Sequence, residues 1–312
     1  MVKLFKSLAD VTRLRLVAIL AQGEFTVSEL TDILAMGQSR ISRHLKILLD
    51  AGIVTVQRQG TWSYFRLDGK NNYFQQLCPT ILEYLATDGV YPADQQGITR
   101  ILDERQRKSR DFFDHHAREW DRLAKEMIAA DRYQGALLEQ LGQVETVVDV
   151  GVGTGSLLGD LSLRARQVIG IDHSPSMLNE ARTRVENKQL VNVDLRLGEM
   201  THLPVADHSA DALILNMVLH HAPHPPTVFN ELRRVLRPGG KVLIAELERH
   251  QLEWFRDRLA DQWLGFTRQE LTDWLQLAGY RLVNLKLMKN SNKLPAVQVL
   301  TAELIDQEEY NQ

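Results

Sequence analysis

At 312 residues the chain exceeds one ordinary domain, and its 44% apolar and 25% charged residues match globular averages, so two folded domains are expected and a disordered chain is excluded. A lone cysteine, Cys78, excludes an internal disulfide, and no apolar run approaches the roughly 18 residues of a membrane span, so a cytoplasmic protein without a membrane partner is expected. Net charge is only −3, but residues 1–70 carry ten Lys or Arg against six Asp or Glu, which leaves the amino-terminal end as the one suited to meet phosphate.

From Val2 to Ala21, apolar Phe5, Leu8, Ala9, Leu16, Ile19 and Leu20 recur at helical spacing and predict a first helix with one stripe toward a core. Asp10, Arg13 and Arg15 interrupt it too early for a signal sequence. Thr26 followed by Glu29 makes a capping box, which predicts a short helix from Val27 to about Ala35. After Met36 and Gly37, residues Ser39 to Asp50 predict a second helix with Ile41, Leu45, Leu48 and Leu49 inward, ended by Gly52 in a left-handed cap.

Two helices about a tight turn make a DNA-binding unit. The outward face of the second is read as Ser39, Arg40, Ser42, Arg43, His44 and Lys46, crowded near the helix start where such helices touch base edges. Arginine forks onto guanine, serine holds phosphate, and lysine adds a salt-sensitive point charge. Ile53 to Arg58 and Thr61 to Leu67 alternate as strands around a Gln59-Gly60 turn, a wing that carries Arg58 and Arg66 toward the neighbouring groove or backbone.

The segments LADVTRLRLVAIL, TVSELTDIL, SRISRHLKILLDAGIV and RQGTWSYFRL resemble, in order, the ArsR/SmtB family of winged-helix regulators. That resemblance covers about the first 85 residues and implies a homodimer on double-stranded operator DNA, with Phe74 to Leu85 as the dimer helix. Many relatives sense metals through cysteines in the helix before the turn. FTVSELTDIL has none, so no metal site is expected there.

Gly89, Pro92 and Gly97, with little periodicity around them, predict a linker. The expected division is therefore 1–88 for the winged helix, 89–105 for the linker and 106–312 for a second domain. In FFDHHAREWDRLAKEM, Phe112, Phe113, Trp120 and Leu123 share one helical side, suited to core or to a ligand lid, while His115 and His116 point apart and read as a solvated face.

Thr146 to Val150 reads as a buried strand that runs into Gly151, Gly153 and Gly155 and then an apolar helix at Leu157, Leu158 and Leu161. Strand, glycine turn and helix open a nucleotide site, because the backbone turns sharply and approaches the ligand more closely than side chains allow. Asp149 precedes the first glycine by two residues. Asp172 closes a second strand, Gln167 to Ile171, where a carboxylate can accept both ribose hydroxyls. Thr267 with Glu270 caps a later helix, and Arg281 to Leu287 with Ala296 to Leu300 predicts a final antiparallel pair about an Asn-rich turn.

The glycines are spaced GxGxG. With VVDVGVGTGSLL, VIGIDHSPSML, LGEMTHLPVADHSADALILNMVLHH, ELRRVLRPGGKVLIAEL and WLGFTRQELTDWLQLAGY they resemble the class I S-adenosylmethionine methyltransferases over roughly 112–290. The resemblance implies a Rossmann-like α/β domain with a mainly parallel seven-stranded sheet behind the α+β winged helix. It further implies that Asp149 and the three glycines line the methionine end of S-adenosylmethionine, Asp172 holds ribose, Met177 packs on adenine, Glu199 and Met200 meet the adenine edge, and Asn216 with Met217 closes the site. Relatives often carry aspartate where Glu199 stands.

Methyl transfer from a sulfonium is driven largely by orientation, so no obligatory catalytic residue is expected. His220, His221, Glu246 and His250 follow strands at the sheet edge where ligands collect. Two readings stay open. One is a regulator whose methyltransferase acts on a small molecule. The other is a non-catalytic factor that senses S-adenosylhomocysteine or S-adenosylmethionine to control methyl-cycle genes. Arg43→Ala is expected to weaken operator binding about ten-fold; an unchanged electrophoretic shift titration would contradict the recognition face.

Overall fold

The computed structural model describes residues 2–67, 71–87, 91–127, 130–289 and 294–305. Two compact units divide the chain, Met1–Arg105 and Gln106–Gln312.

In the first unit, the single amino-terminal helix expected over Val2 to Ala21 is two helices, Val2–Leu8 and Val11–Leu20. Asp10 breaks it. Its backbone is extended and its carboxylate accepts the Arg13 amide at 3.1 Å, so it caps the second helix instead of continuing the first. Leu8, Leu16, Ile19 and Leu20 remain buried, whereas Phe5, expected inward, is 52% exposed.

The helix Val27–Leu34 opens on a complete capping box, with the Thr26 hydroxyl accepting the Glu29 amide at 3.3 Å and the Glu29 carboxylate accepting the Thr26 amide at 2.7 Å. The helix Gln38–Asp50 buries Ile41, Leu45 and Leu48. It stops at Gly52, whose φ of +66° lets the Ile53 and Gly52 amides donate to the Leu48 and Leu49 carbonyls.

Three strands complete the wing: β1 (Phe25–Thr26), β2 (Val54–Gln59) and β3 (Trp62–Leu67), antiparallel in the order β1-β3-β2. Gln59 pairs with Trp62, so the turn is Gly60-Thr61 and not Gln59-Gly60. Two-residue β1 shows no alternation to detect, and its pairing with β3 is tertiary. The segment Phe74 to Leu85 falls within the helix Asn72–Thr87.

The expected linker is corrected. Residues 88–90 lie outside the described set, but Pro92–His116 is one helix, and the division between units falls inside it. Ile98 and Ile101 are buried at helical spacing, Arg15 bonds Asp94 at 2.7 Å, and Arg105 bonds Glu29 at 2.7 Å. Gly97 is no breaker here: a Cβ would meet the Ile33 Cα at 3.0 Å, so the glycine admits the helix Val27–Leu34 at close range.

The second unit holds a seven-stranded sheet: β4 (Val144–Val150), β5 (Ala165–Asp172), β6 (Val193–Leu197), β7 (Ala210–Asn216), β8 (Leu236–Leu247), β9 (Tyr280–Met288) and β10 (Val297–Leu304). Their order is β6-β5-β4-β7-β8-β10-β9. The pairs from β6 to β8 are parallel, and β10 inserts antiparallel between β8 and β9. This is the expected Rossmann-like architecture. β4, β7 and the centre of β8 are near-continuous apolar runs because both faces are buried. The strand order reverses at β4, where open α/β sheets collect ligands outside the carboxyl ends of their strands. The Asn-rich turn lies in 290–293, outside the described residues.

Asp10→Ala should remove the cap of Val11–Leu20 and destabilise the protein by about 1 kcal/mol. Urea unfolding of the full chain that shows no loss in its midpoint would contradict this.

Candidate functional site

Two surfaces carry chemistry, one in each unit. On the helix Gln38–Asp50, Ser39, Arg40, Ser42, Arg43 and Lys46 are exposed, as is Arg58 on β2. His44 departs from the expected face. Its side chain is only 12% exposed, with Nδ1 3.6 Å from Asp10 Oδ1, and burial together with nearby arginines outweighs Asp10 and pulls its pKa down. Arg66 is also turned away, donating to Glu24 at 3.2 Å. Three cations, Arg40, Arg43 and Lys46, are thus exposed on one helix, while His44 is largely buried and Arg66 is paired.

In the second unit, a cavity of about 710 Å³ opens at the carboxyl ends of β4, β5 and β7. Gly151, Gly153, Asp172, Met177 and Asn216 line it, with Met217 beside them. Gly151 has φ +73°, and a Cβ there would fall 2.2 Å from Val218 Cγ2, so the chain passes only because this residue has no side chain. Asp172 ends β5, and its two oxygens accept the Gly153 amide at 2.8 Å and the Ser174 amide at 2.9 Å. Those bonds aim the carboxylate and leave each oxygen a second lone pair.

The remaining expected contacts stand apart from the cavity lining. Asp149 is buried at the end of β4, behind the glycine turn. Gly155 packs toward Leu158 and Ala181. Glu199 accepts from Arg110 at 2.6 Å, which engages its carboxylate in an ion pair, and Met200, like Glu199, is not a lining residue. The extra methylene of glutamate over aspartate lets the group reach that arginine.

Further residues line the cavity, among them Phe113 and Trp120, for which the sequence left core and ligand lid both open. Phe113 and Trp120, 5.0 Å apart in an edge-on pair, form one wall. Asp121 accepts the Thr154 hydroxyl at 2.5 Å and also pairs with Arg184, which ties the helix Trp120–Met127 to the glycine turn and to the helix Pro175–Asn187. Asp114 accepts the Ser174 hydroxyl at 2.5 Å. Among the described residues, Asn216 Oδ1 and His173 Nε2 are buried without a hydrogen-bond partner on residues that face the cavity, a pair of polar atoms placed for a ligand. His115 and His116 bond their own helix, to the carbonyls of Asp111 and Phe112.

Electrostatics shape the same floor. Burial, reinforced by Asp172, pushes the Asp149 carboxyl up to about 7, and burial likewise raises Asp172. The His173 ring lies 3.9 Å from Asp172 and offsets part of its charge, and the two buried acids still favour a ligand that brings positive charge or hydrogen-bond donors. Beside the cavity, burial and the neighbouring His220 hold His221 well below the usual histidine range. Burial opposes charge on His220 too, but Glu246 and Asp261 outweigh it and push that ring up to about 9. His250 lies nearby with a pKa lowered to about 4 by burial and by the charges of His220 and Arg256.

Comparison with known proteins agrees with both units. Residues 10–56 match the family model for bacterial regulatory proteins of the arsR family, and residues 148–244 match a methyltransferase domain. The first unit thus carries a segment that matches the arsR family, and the second a segment that matches a methyltransferase domain on the Rossmann-like fold described above. Among curated relatives, an arsenite methyltransferase of Halobacterium salinarum is 44% identical over 109 residues, which is 33% of this chain and 27% of that protein. A demethylmenaquinone methyltransferase of Oceanobacillus iheyensis is 36% identical over 115 residues, 36% of this chain and 48% of that protein. The chain thus spans less than two thirds of the length of these relatives.

Among solved structures, a putative methyltransferase in complex with the Haloferax volcanii Trm112 methyltransferase activator aligns with TM-score 0.52 and 18% identity, covering 62% of this chain and 98% of its own. The [4+2]-cyclase SpnF aligns with TM-score 0.50 and 20% identity, covering 57% and 81%. These likenesses show the fold, and the second shows that the fold alone does not name the reaction. The class I methyltransferase fold implies S-adenosylmethionine as methyl donor. The glycine turn and the acid at the end of β5 fit it, because they offer close backbone approach and paired acceptors. Among the described residues, no helix is long and apolar enough to cross a membrane.

The raised Asp149 pKa sets a pH dependence. Between the unfolded value near 4 and the folded value near 7, the native state binds more protons than the unfolded chain, so this group's contribution falls as pH rises through that window. Asp149→Asn in the ligand-free protein should therefore lose less stability than wild type between pH 5 and pH 8. Parallel urea midpoints at the two pH values would contradict the assignment.

Proposed function

We propose that the chain is a DNA-binding transcriptional regulator whose second unit binds S-adenosylmethionine and directs its methyl group to a small molecule. The observation that carries this reading is the cavity of about 710 Å³, which combines Gly151 and Gly153, the aimed carboxylate of Asp172, and the unpartnered polar atoms of Asn216 and His173. Its volume lies within the roughly 300–1,000 Å³ of small-molecule sites. When bound, the donor supplies an activated methyl group on a sulfonium.

The chain's own residues bind and orient. Asp172 accepts hydroxyl protons of the sugar, Met177 offers an apolar surface to the base, and the glycine backbone carries the amino-acid end. Phe113 and Trp120 exclude water from that wall. Asp121, Arg184 and Thr154 hold the wall against the glycine turn. Such positioning accounts for acceleration of an in-line displacement without a dedicated base. Glu199 and Met200 take no part in base recognition in this reading, since Arg110 engages the one and neither lines the cavity.

In the first unit, Ser39, Arg40, Ser42, Arg43, Lys46 and Arg58 are proposed to meet operator DNA, with the chain acting as a homodimer through Asn72–Thr87. Tyr73 and Tyr84 are exposed on that helix, which supports the assignment. In a second reading the cavity, with its aimed Asp172 carboxylate, is the place where a signal enters. Here S-adenosylhomocysteine or S-adenosylmethionine binds without turnover and changes DNA affinity. That requires different affinities for the two conformations of the regulator.

Asp172→Ala should weaken S-adenosylmethionine binding at least about a hundred-fold, because charge-assisted bonds to two hydroxyls are lost, while operator binding without ligand stays unchanged. Calorimetry showing wild-type affinity would overturn the site. Operator titration with each nucleoside, run beside a methyl-incorporation assay on cell extract, separates the readings: incorporation supports the enzyme, and ligand-dependent DNA release without incorporation supports the sensor.

A further inference from the structure

Behind the cavity, three buried side chains converge from two loops: His220 and His221 after β7, and Asp261 after the helix Trp254–Leu259. Each offers an atom within 4.8 Å of the others. Asp261 is the anomaly among them. Its side chain is 1% exposed, and among the described residues neither carboxylate oxygen has a hydrogen-bond partner. His220 Nε2 is 3.8 Å from Asp261 Oδ1, beyond hydrogen-bond reach. A carboxylate buried with both oxygens unmet is costly unless something else fills the space between it and the rings.

The two histidines are arranged as ligands are. His220 Nδ1 faces Glu246 Oε1 at 2.6 Å, and His221 Nδ1 faces the Ala260 carbonyl at 3.3 Å. With each Nδ1 held by an oxygen, each Nε2 is the atom left to meet a metal ion, which displaces the proton carried by the charged His220 ring; this is the arrangement by which a carboxylate or a backbone carbonyl orients a metal-binding imidazole. Glu246 is itself fixed, accepting the Leu247 amide at 2.6 Å and the His220 amide at 3.2 Å. The Asp261 loop is pinned to the histidine loop, since the Gln262 and Trp263 amides donate to the His220 carbonyl and the Trp263 indole donates to Ala222 at 2.7 Å.

We propose that His220 Nε2, His221 Nε2 and an Asp261 oxygen bind a divalent transition-metal ion, zinc in the first instance. Two imidazoles and a carboxylate are a zinc donor set, and ligand atoms about 3.3 Å apart surround a tetrahedral zinc, so the loops need close only slightly. His221 also lines the cavity, which provides an entry path for the ion. The site uses none of Gly151, Gly153, Asp172 or Asn216, so it stands independently of which nucleoside fills the cavity.

The test loads chelator-stripped full-length protein with zinc, removes free ion by gel filtration and measures bound metal by mass spectrometry. One zinc per chain is expected for wild type and for His250→Gln, with little retained by Asp261→Asn or His220→Gln. Glu246→Gln should bind about 10–100-fold more weakly, as loss of an orienting partner does. In case the variants misfold, the wild type loaded with cobalt(II) should show the intense visible bands of a tetrahedral site. Asp261→Cys should add a near-ultraviolet sulfur-to-cobalt band. Wild type that retains no zinc, or that gives only the weak spectrum of hydrated cobalt, would mean a histidine–carboxylate network alone and would overturn the proposal.

Discussion

The second unit is organised around a charge problem. Asp149 and Asp172 end adjacent parallel strands and are both buried, and the charge of Asp172 adds to the burial that makes Asp149 costly to ionise. Such a pair is tolerated because the His173 ring and the backbone amides of Gly153 and Ser174 already face Asp172, and because the space in front is open to a ligand. The glycine turn follows from the same geometry. A chain that leaves β4, clears Val218 and presents an amide to Asp172 has no room for a Cβ at Gly151.

That seat is held by ion pairs and hydrogen bonds from elements distant in sequence. Asp121 reaches Thr154 and Arg184, and Asp114 reaches Ser174, so segments ahead of β4 fasten the glycine turn and the start of Pro175–Asn187. The first unit uses the same economy. Arg105 and Arg15 engage Glu29 and Asp94, so the acid of a capping box also anchors a later helix. In both units, a local motif is made rigid by a charge that arrives from far along the chain.

Local chemistry made several features legible early. The Thr26–Glu29 and Thr267–Glu270 boxes, the stop at Gly52 and the GxGxG turn each lie within a few residues, and each has one low-energy arrangement. Features that depend on a distant partner were not. Asp10 reads as one more polar residue in a helix until its backbone turns extended. Gly97 reads as a breaker until Ile33 is found against it. The pairing of Glu199 with Arg110 and the place of His44 beside Asp10 likewise have no local signature.

By itself, the sequence determined that there are two folded units, that one bears a helix-turn-helix with a basic exposed face, and that the other is an α/β sheet with a glycine turn between two strand-end acids. These follow from periodicity, capping and glycine placement, which act over a few residues. Only the tertiary structure decided which of those side chains meet. It brought Phe113 and Trp120 to the cavity wall, set Glu199 against Arg110 and His44 beside Asp10, and buried Asp261 beside two histidines about forty residues earlier in the chain. The physical reason is that burial and charge pairing depend on distance in space, and no local pattern of residues encodes that distance.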